Sequence, residues 1–167
     1  VVRGEVKPPA NPLVVPQTCL RFNDVDNVGI TGRHNTGFIM IGQHAFESAE
    51  KYDQPKYFED IHEWLVRGMG IPLKDIVYHE DAWAGGGNFG CSLEFFSGGL
   101  EIGNQVYAMY ERVGDSLKPL NIKVLDMGMG QERPAWFSHG TPTAYEPNFP
   151  TVMEKLFGIA GINSNGE

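Results

Sequence analysis

Three arginines, a histidine and an aspartate stand in this chain where charge could do chemistry. Arg21 closes an apolar stretch, "LVVPQTCLRF" at 13–22, and a polar loop carrying Arg33 and His34 follows it. Guanidinium groups at both ends of such a hairpin can clamp phosphate oxygens bidentately. Arg133 comes just after a Gly-Met-Gly sequence at 128–130, expected as a turn that opens a helix. Backbone N–H groups and the helix dipole favour an anion there as well. Asp126 is expected to close the strand before that turn, where a carboxylate can hold an ammonium. Together these residues describe a site for an amino acid beside a nucleotide. The plainer reading of each is a solvated surface charge, which is the usual state of arginine and aspartate on loops.

A second group lies on a strand. Alternation along "LEIGNQVYAMY" places Leu100, Ile102, Asn104, Val106 and Ala108 on one face, so Asn104 is a lone amide among apolar neighbours. It is either a hydrogen-bonded core group or a group reserved for a ligand. Gly85, Gly87 and Gly90 spell G-x-G-x-x-G, but a dinucleotide fingerprint needs those glycines to open a helix, and "CSLEFF" after them reads as a strand. No phosphate-binding G-x-x-x-x-G-K-[ST] sequence is present, and the 5 histidines include no H-x-x-x-H or H-E-x-x-H spacing for zinc.

The elements that must position these residues follow from patterning. Residues 1–12 are Pro-rich and read as a leading strap. A strand over 13–22, limited by Pro16, and a return strand over 37–41 flank the polar loop, whose Asn, Asp and Gly favour turns. Asp53 and Pro55 signal a helix start, and Phe58, Ile61, Trp64 and Leu65 recur at helical spacing, predicting an amphipathic helix with its Trp and Phe in the core, ending near Gly68 or Gly70. A short strand at 76–79, a glycine loop over 80–90, a strand-turn-strand from "CSLEFF" through "SGG" to "LEIGNQVYAMY", and a further strand, "NIKVLD", come next. The last helix is expected from Pro150 to Gly158, with a loose tail, "NSNGE". Strands joined by turns with helices inserted between predict an α+β fold, a mainly antiparallel sheet flanked by helices.

The 167 residues suit one domain, with no interdomain linker or repeat. Lys and Arg number 13 against 21 Asp and Glu, a net charge of −8, which argues against a free-standing nucleic-acid binder while leaving room for one local basic patch. No apolar run approaches the roughly 20 residues needed to span a bilayer, and the first residues lack the segments of a signal peptide. A soluble cytoplasmic protein without membrane partners is the expectation. Cys19 and Cys91 are expected as thiols rather than a disulfide.

The segment "CLRFNDVDNVGITGRHNTGFIMIG" closely resembles the motif 2 region of alanyl-tRNA synthetases, a class II aminoacyl-tRNA synthetase family. "VLDMGMGQERPAW" resembles their motif 3, and "DAWAGGGNFG" with "LEIGNQVYAMY" resembles the intervening alanine-pocket segment in its archaeal form. The matches fall in the family's order between about Pro12 and Trp136. The resemblance implies a class II catalytic core that activates alanine with ATP and magnesium. It implies that Arg21 holds the α-phosphate and stabilises the pentacoordinate phosphorus, with Arg133 on the γ-phosphate side. Arg33, His34, Phe38 and Gly130 are implied for the ATP site. Asp126 is similar to the carboxylate that binds the alanine ammonium and Asn104 to the amide beside it. Trp83 resembles the indole walling the side-chain pocket, with Val106 and Gly128 as further pocket residues.

Departures are also visible. Ile39 stands where the family usually carries a glutamate, and "NFGCS" differs from the commoner Gly-Pro version. Motif 1 has no match before Val15, and the tRNA-recognition and editing segments have none. The chain is therefore expected to represent the central part of the catalytic domain, with tRNA(Ala) bound mostly through other regions. Alternatives are an inactive or regulatory binding module, or a subunit completed by self-association or a partner chain.

Overall fold

The computed structural model describes residues 1–162, so the expected tail at 163–167 lies outside the described residues. Six strands form one sheet in the order β1-β2-β6-β5-β4-β3. They are β1 (Leu13–Leu20), β2 (Gly37–Ser48), β3 (Ile76–Gly85), β4 (Asn88–Ser97), β5 (Leu100–Val113) and β6 (Ser116–Gly130). The pairs β2–β6, β6–β5, β5–β4 and β4–β3 are antiparallel. Helices are α1 (Gln54–Glu63), α2 (Glu132–His139), α3 (Tyr145–Asn148) and α4 (Pro150–Ala160). The α+β expectation holds, and Pro16 sits in β1 at a sheet edge, where a missing N–H is tolerated.

Two compact units make up the chain: Val1–Gln17 with Met40–Gly130, and Thr18–Ile39 with the described residues from Gln131 onward. The first is the sheet unit. Its core lies on one face, where Ala45, Leu93, Tyr107 and Leu125 are buried and Tyr52, Tyr57, Phe58, Tyr78 and Met109 pack against them. Helix α1 supplies part of that cover. Asp53 caps it by accepting the Lys56 N–H at 3.1 Å, Pro55 enters its first turn, and Ile61 and Leu65 are buried. The helical run ends at Gly68, as its periodicity predicts, but its last turn, Trp64–Gly68, is a π-turn and leaves Trp64 37% exposed against Gly68 rather than in the core. At the far end of the opposite face, Ala108, Leu120 and Val124 are covered by Phe46 and by Val2 of the strap. Asn11 fastens the strap by pairing its amide with both the N–H and the C=O of Phe46, at 2.9 and 2.8 Å.

The strands are longer than the sequence suggests. Glu80 to Gly85 belong to β3, and the expected glycine loop is a two-residue turn, Gly86 (φ 58°) and Gly87 (φ 84°), a conformation natural to glycine. Gly98 and Gly99 make the same kind of turn between β4 and β5. The Gly-Met-Gly sequence at 128–130 is strand, not turn, and Asp126 lies inside β6 rather than at its end. Those glycines are paired across the sheet, Gly128 with Gly42 and with Asn104, and Gly130 with Met40, so interstrand bonding overrides their turn preference. Helix α4 runs through Gly158 to Gly161, which takes the left-handed conformation at its end.

One buried amide went unforeseen. Gln105, on the core face beside Asn104, is fully buried; it donates to the Tyr57 carbonyl at 3.2 Å and accepts the Tyr107 hydroxyl at 2.7 Å. Burial pushes the Tyr107 phenol up to about 12 and that of Tyr52 further still. An unfolded tyrosine ionises near 10, so between pH 10 and 12 the folded chain holds protons that the unfolded chain has lost. Stability is therefore complete below about pH 10 and falls by up to about 1.4 kcal/mol per pH unit for each such group as pH rises through that window. Urea unfolding at stepped alkaline pH is expected to show this slope, lessened by about one proton in Tyr107→Phe.

Candidate functional site

The sheet face opposite the α1 core carries the residues proposed for an amino acid. Directly opposed residues in an antiparallel pair share a face, and the registers give two adjoining rows. One row runs His44, Asp126, Val106, Ser92, Asp81; the next runs Gly42, Gly128, Asn104, Glu94, His79. Asn104, Val106, Asp126 and Gly128 are thus nearest neighbours on β5 and β6, although 20 to 24 residues separate them in sequence across this pairing. Trp83 shares the face one row further on, paired with Gly90, and its indole lies over Gly85 at the hairpin end of β3.

Polarity on this face is arranged around two glycines. Gly128 leaves a shallow floor, bounded by the Met40 sulfur, which a Cβ there would approach to 3.2 Å, and by the Asn104 Oδ1 at 3.8 Å, while Gly42 beside it is covered by the His44 ring. The Asp126 carboxylate, about half-exposed, accepts from His44 Nδ1 at 3.0 Å. A second pair, His79 and Glu94, lies at 3.0 Å nearer the sheet edge. Val106 is buried and apolar beside Asp126 and Asn104, so β5 and β6 together offer a carboxylate, an amide and an aliphatic wall, with the Glu94 carboxylate, bonded to His79, on the next strand. That is a fit for a small molecule with one ammonium and a short apolar side chain.

The residues proposed for ATP, Gly130 apart, belong to the second unit. Arg21 is exposed, its guanidinium carbon 5.4 Å from the Phe38 ring centroid, and its N–H donates to the Thr36 carbonyl at 2.8 Å. Stacking of this kind keeps the planar fork in one orientation without neutralising it. The loop that follows is tied down from its middle. Tyr145 accepts the Gly29 N–H at 2.8 Å and donates to the His34 carbonyl at 2.9 Å, and the Ala144 N–H reaches the Gly32 carbonyl at 2.7 Å. The His34 ring bonds Thr31 at 2.6 Å, while Arg33 points its side chain into solvent.

Arg133 is joined to this neighbourhood through the backbone. The Gln131 N–H donates to the Ile39 carbonyl at 2.8 Å, and the Ile39 N–H donates to the Glu132 carboxylate at 3.0 Å. Phe38 and Ile39 therefore touch both arginine-bearing segments, Arg21 through the ring and Arg133 through its two preceding residues. Glu132 is buried in the first turn of α2, and Asn148 caps its carbonyl from α3 at 3.0 Å. Sequence reasoning passed over His44, Gln105, Glu132 and Tyr145. For His44 a signal existed, since Gly42 two residues before it on a strand leaves room for a ring to lie back. Glu132 and Tyr145 act through contacts distant in sequence.

The G-x-G-x-x-G glycines stand in a hairpin between β3 and β4, with no helix after them. Neither cysteine is in a disulfide. Among the described residues no helix is long and apolar enough to cross a membrane.

The whole sequence, 1–167, matches the family described as tRNA synthetases class II (A). It is 55% identical to an alanine–tRNA ligase of Methanocella arvoryzae over 99% of the chain, and 49% identical to one of Nitrosopumilus maritimus over 95%. The chain spans 19% and 18% of those two proteins' lengths. Its fold resembles the pyrrolysyl-tRNA synthetase of Desulfitobacterium hafniense, with a TM-score of 0.53 and 15% identity over 84% of this chain and 46% of that one.

Proposed function

Because the chain belongs to the class II (A) tRNA synthetase family, we propose that it forms the adenylate-making site of an alanine–tRNA ligase of the cytoplasm. A carboxylate oxygen of alanine attacks the α-phosphorus of ATP, the bond to the β-phosphate breaks, and pyrophosphate leaves; transfer of the alanyl group to tRNA(Ala) would follow. The observation that carries this reading is the registered cluster of Asn104, Val106, Asp126 and Gly128 on one sheet face.

Joining two anions demands charge neutralisation and in-line alignment rather than a covalent protein intermediate. Asp126 holds the ammonium, Asn104 bonds the amino acid beside it, and Gly128 leaves space for the methyl group. Val106 is the apolar wall beside them; Trp83, whose indole lies over Gly85 toward the hairpin end, is given to the pocket on the family resemblance alone. Arg21, oriented on Phe38, grips the α-phosphate oxygens that gain charge as the carboxylate attacks. Arg133 receives the terminal phosphate, with Arg33, His34 and Gly130 completing the nucleotide site. Magnesium, which the family uses in general, would when bound neutralise charge on the pyrophosphate. Among the described residues no three His, Cys, Asp or Glu side chains cluster as a ligand set.

ATP–pyrophosphate exchange, run separately with alanine, serine and glycine, tests the reading. Alanine is expected to give the highest kcat/KM. Glycine should trail by only about ten- to a hundredfold, because one missing methyl group is worth about 1–3 kcal/mol. Binding of a non-hydrolysable alanyl-adenylate analogue without any exchange would instead favour a binding module.

A further inference from the structure

We propose that His44 is a positioning residue for the amino-acid site, its Nδ1–H holding one oxygen of the Asp126 carboxylate so that the other faces the substrate ammonium. The inference rests on the reading of Asp126 given above and extends it to a residue outside the family motifs.

Three observations meet here. His44 Nδ1 lies 3.0 Å from Asp126 Oδ1, and the two residues are directly opposed on β2 and β6. Asp126 is about half-exposed, so without a partner its carboxylate would sample several rotamers and present its charge diffusely. A charge-assisted hydrogen bond from a fixed donor removes that freedom before substrate arrives. The imidazole is fixed in turn by the strand beneath it. A Cβ built on Gly42 would lie 2.5 Å from Nε2 and 3.1 Å from Cε1 of His44, and its three nearest neighbours are all atoms of that ring. Gly42 therefore exists as the bed of the imidazole. Its φ is not in the left-handed region, so backbone conformation does not require glycine at this position.

Geometry also says which substitution should preserve the role. Asparagine places its Nδ2 donor where histidine has Nδ1, whereas leucine fills similar space without a donor. In the complete gene product, His44→Leu is expected to raise the KM for alanine by roughly tenfold in pyrophosphate exchange. Under the same conditions kcat and the KM for ATP should stay within about twofold, and His44→Asn should recover most of the loss. Gly42→Ala, which replaces neither member of the pair, should reproduce the His44→Leu defect by pushing the ring aside, and it serves where His44→Leu folds poorly.

Asp126→Asn separates the two layers of the argument. If it raises the alanine KM while His44→Leu and Gly42→Ala do not, the role given to His44 is wrong and the amino-acid site stands. An Asp126→Asn enzyme with an unchanged alanine KM would overturn the site itself, and this inference with it. His44→Asn as defective as His44→Leu would mean that ring packing, not the donor, is what matters, and would also overturn the proposal.

Discussion

Arg21→Ala is expected to lower alanine-dependent pyrophosphate exchange by about two to three orders of magnitude in kcat, the usual cost of removing one donor aimed at developing transition-state charge. The loss should fall on kcat and on the KM for ATP, leaving the KM for alanine nearly unchanged, because the role proposed for Arg21 is on the α-phosphate. Folding should be spared: the side chain is exposed, and surface substitutions usually stay within about 0.5 kcal/mol. Arg21→Lys gives a sharper comparison. Lysine keeps the charge but has neither the planar fork nor the flat face that rests on Phe38 at 5.4 Å. If orientation matters as well as charge, Arg21→Lys should recover only part of the activity, and Phe38→Ala should show a smaller defect of the same kind. Equal exchange by the wild type and Arg21→Ala would remove Arg21 from the mechanism.

Local chemistry made some of this legible in the sequence and left the rest hidden. The Asp53 cap and Pro55 mark the start of α1 because both act within one turn, and the two-glycine turns bound strands as turn residues should. Asn104 stood out because a polar group interrupts an apolar alternation on one face. Strand lengths were harder. The segment after Ile41, "GQHAFES", shows no clean alternation, since β2 has Ala45 in the core on one face and the His44–Asp126 pair on the other. The Met-Gly-Met-Gly sequence reads as a turn in isolation and becomes strand only because β2 and β5 flank it on both sides. Trp64 misled for a related reason: its spacing is helical, but the π-turn rotates it out of register with Ile61 and Leu65. Buried partners such as Gln105 with Tyr57, or Glu132 with Ile39, are set by contacts 48 and 93 residues apart, which no short window contains.

The glycines that imitate a nucleotide fingerprint should instead prove to be structural, and Gly90 most of all. A Cβ at Gly90 would lie 1.7 Å from the Tyr107 carbonyl oxygen, 2.7 Å from its carbon and 3.2 Å from the Ala108 Cα. These are backbone atoms of the neighbouring strand at the register shift between Phe89 and Gly90, so no side-chain rotation can relieve the overlap. Gly90→Ala must part β4 from β5 in the middle of the sheet, breaking ladder bonds, and is expected to cost about 4 kcal/mol or more, among the largest effects of single substitutions. Gly86→Ala is the control. It has nothing within 4 Å of the new methyl group and only a left-handed φ of 58° to oppose it, worth about 1–2 kcal/mol. Urea midpoints of the two variants should differ accordingly, and equal stability would contradict the close approach. Since Val106 and Asn104 lie two and four residues from Ala108 on the displaced strand, any Gly90→Ala protein that still folds should also bind alanine more weakly, whereas Gly86→Ala should leave that affinity alone. A phosphate-binding loop would show the reverse, with nucleotide affinity lost and the sheet intact.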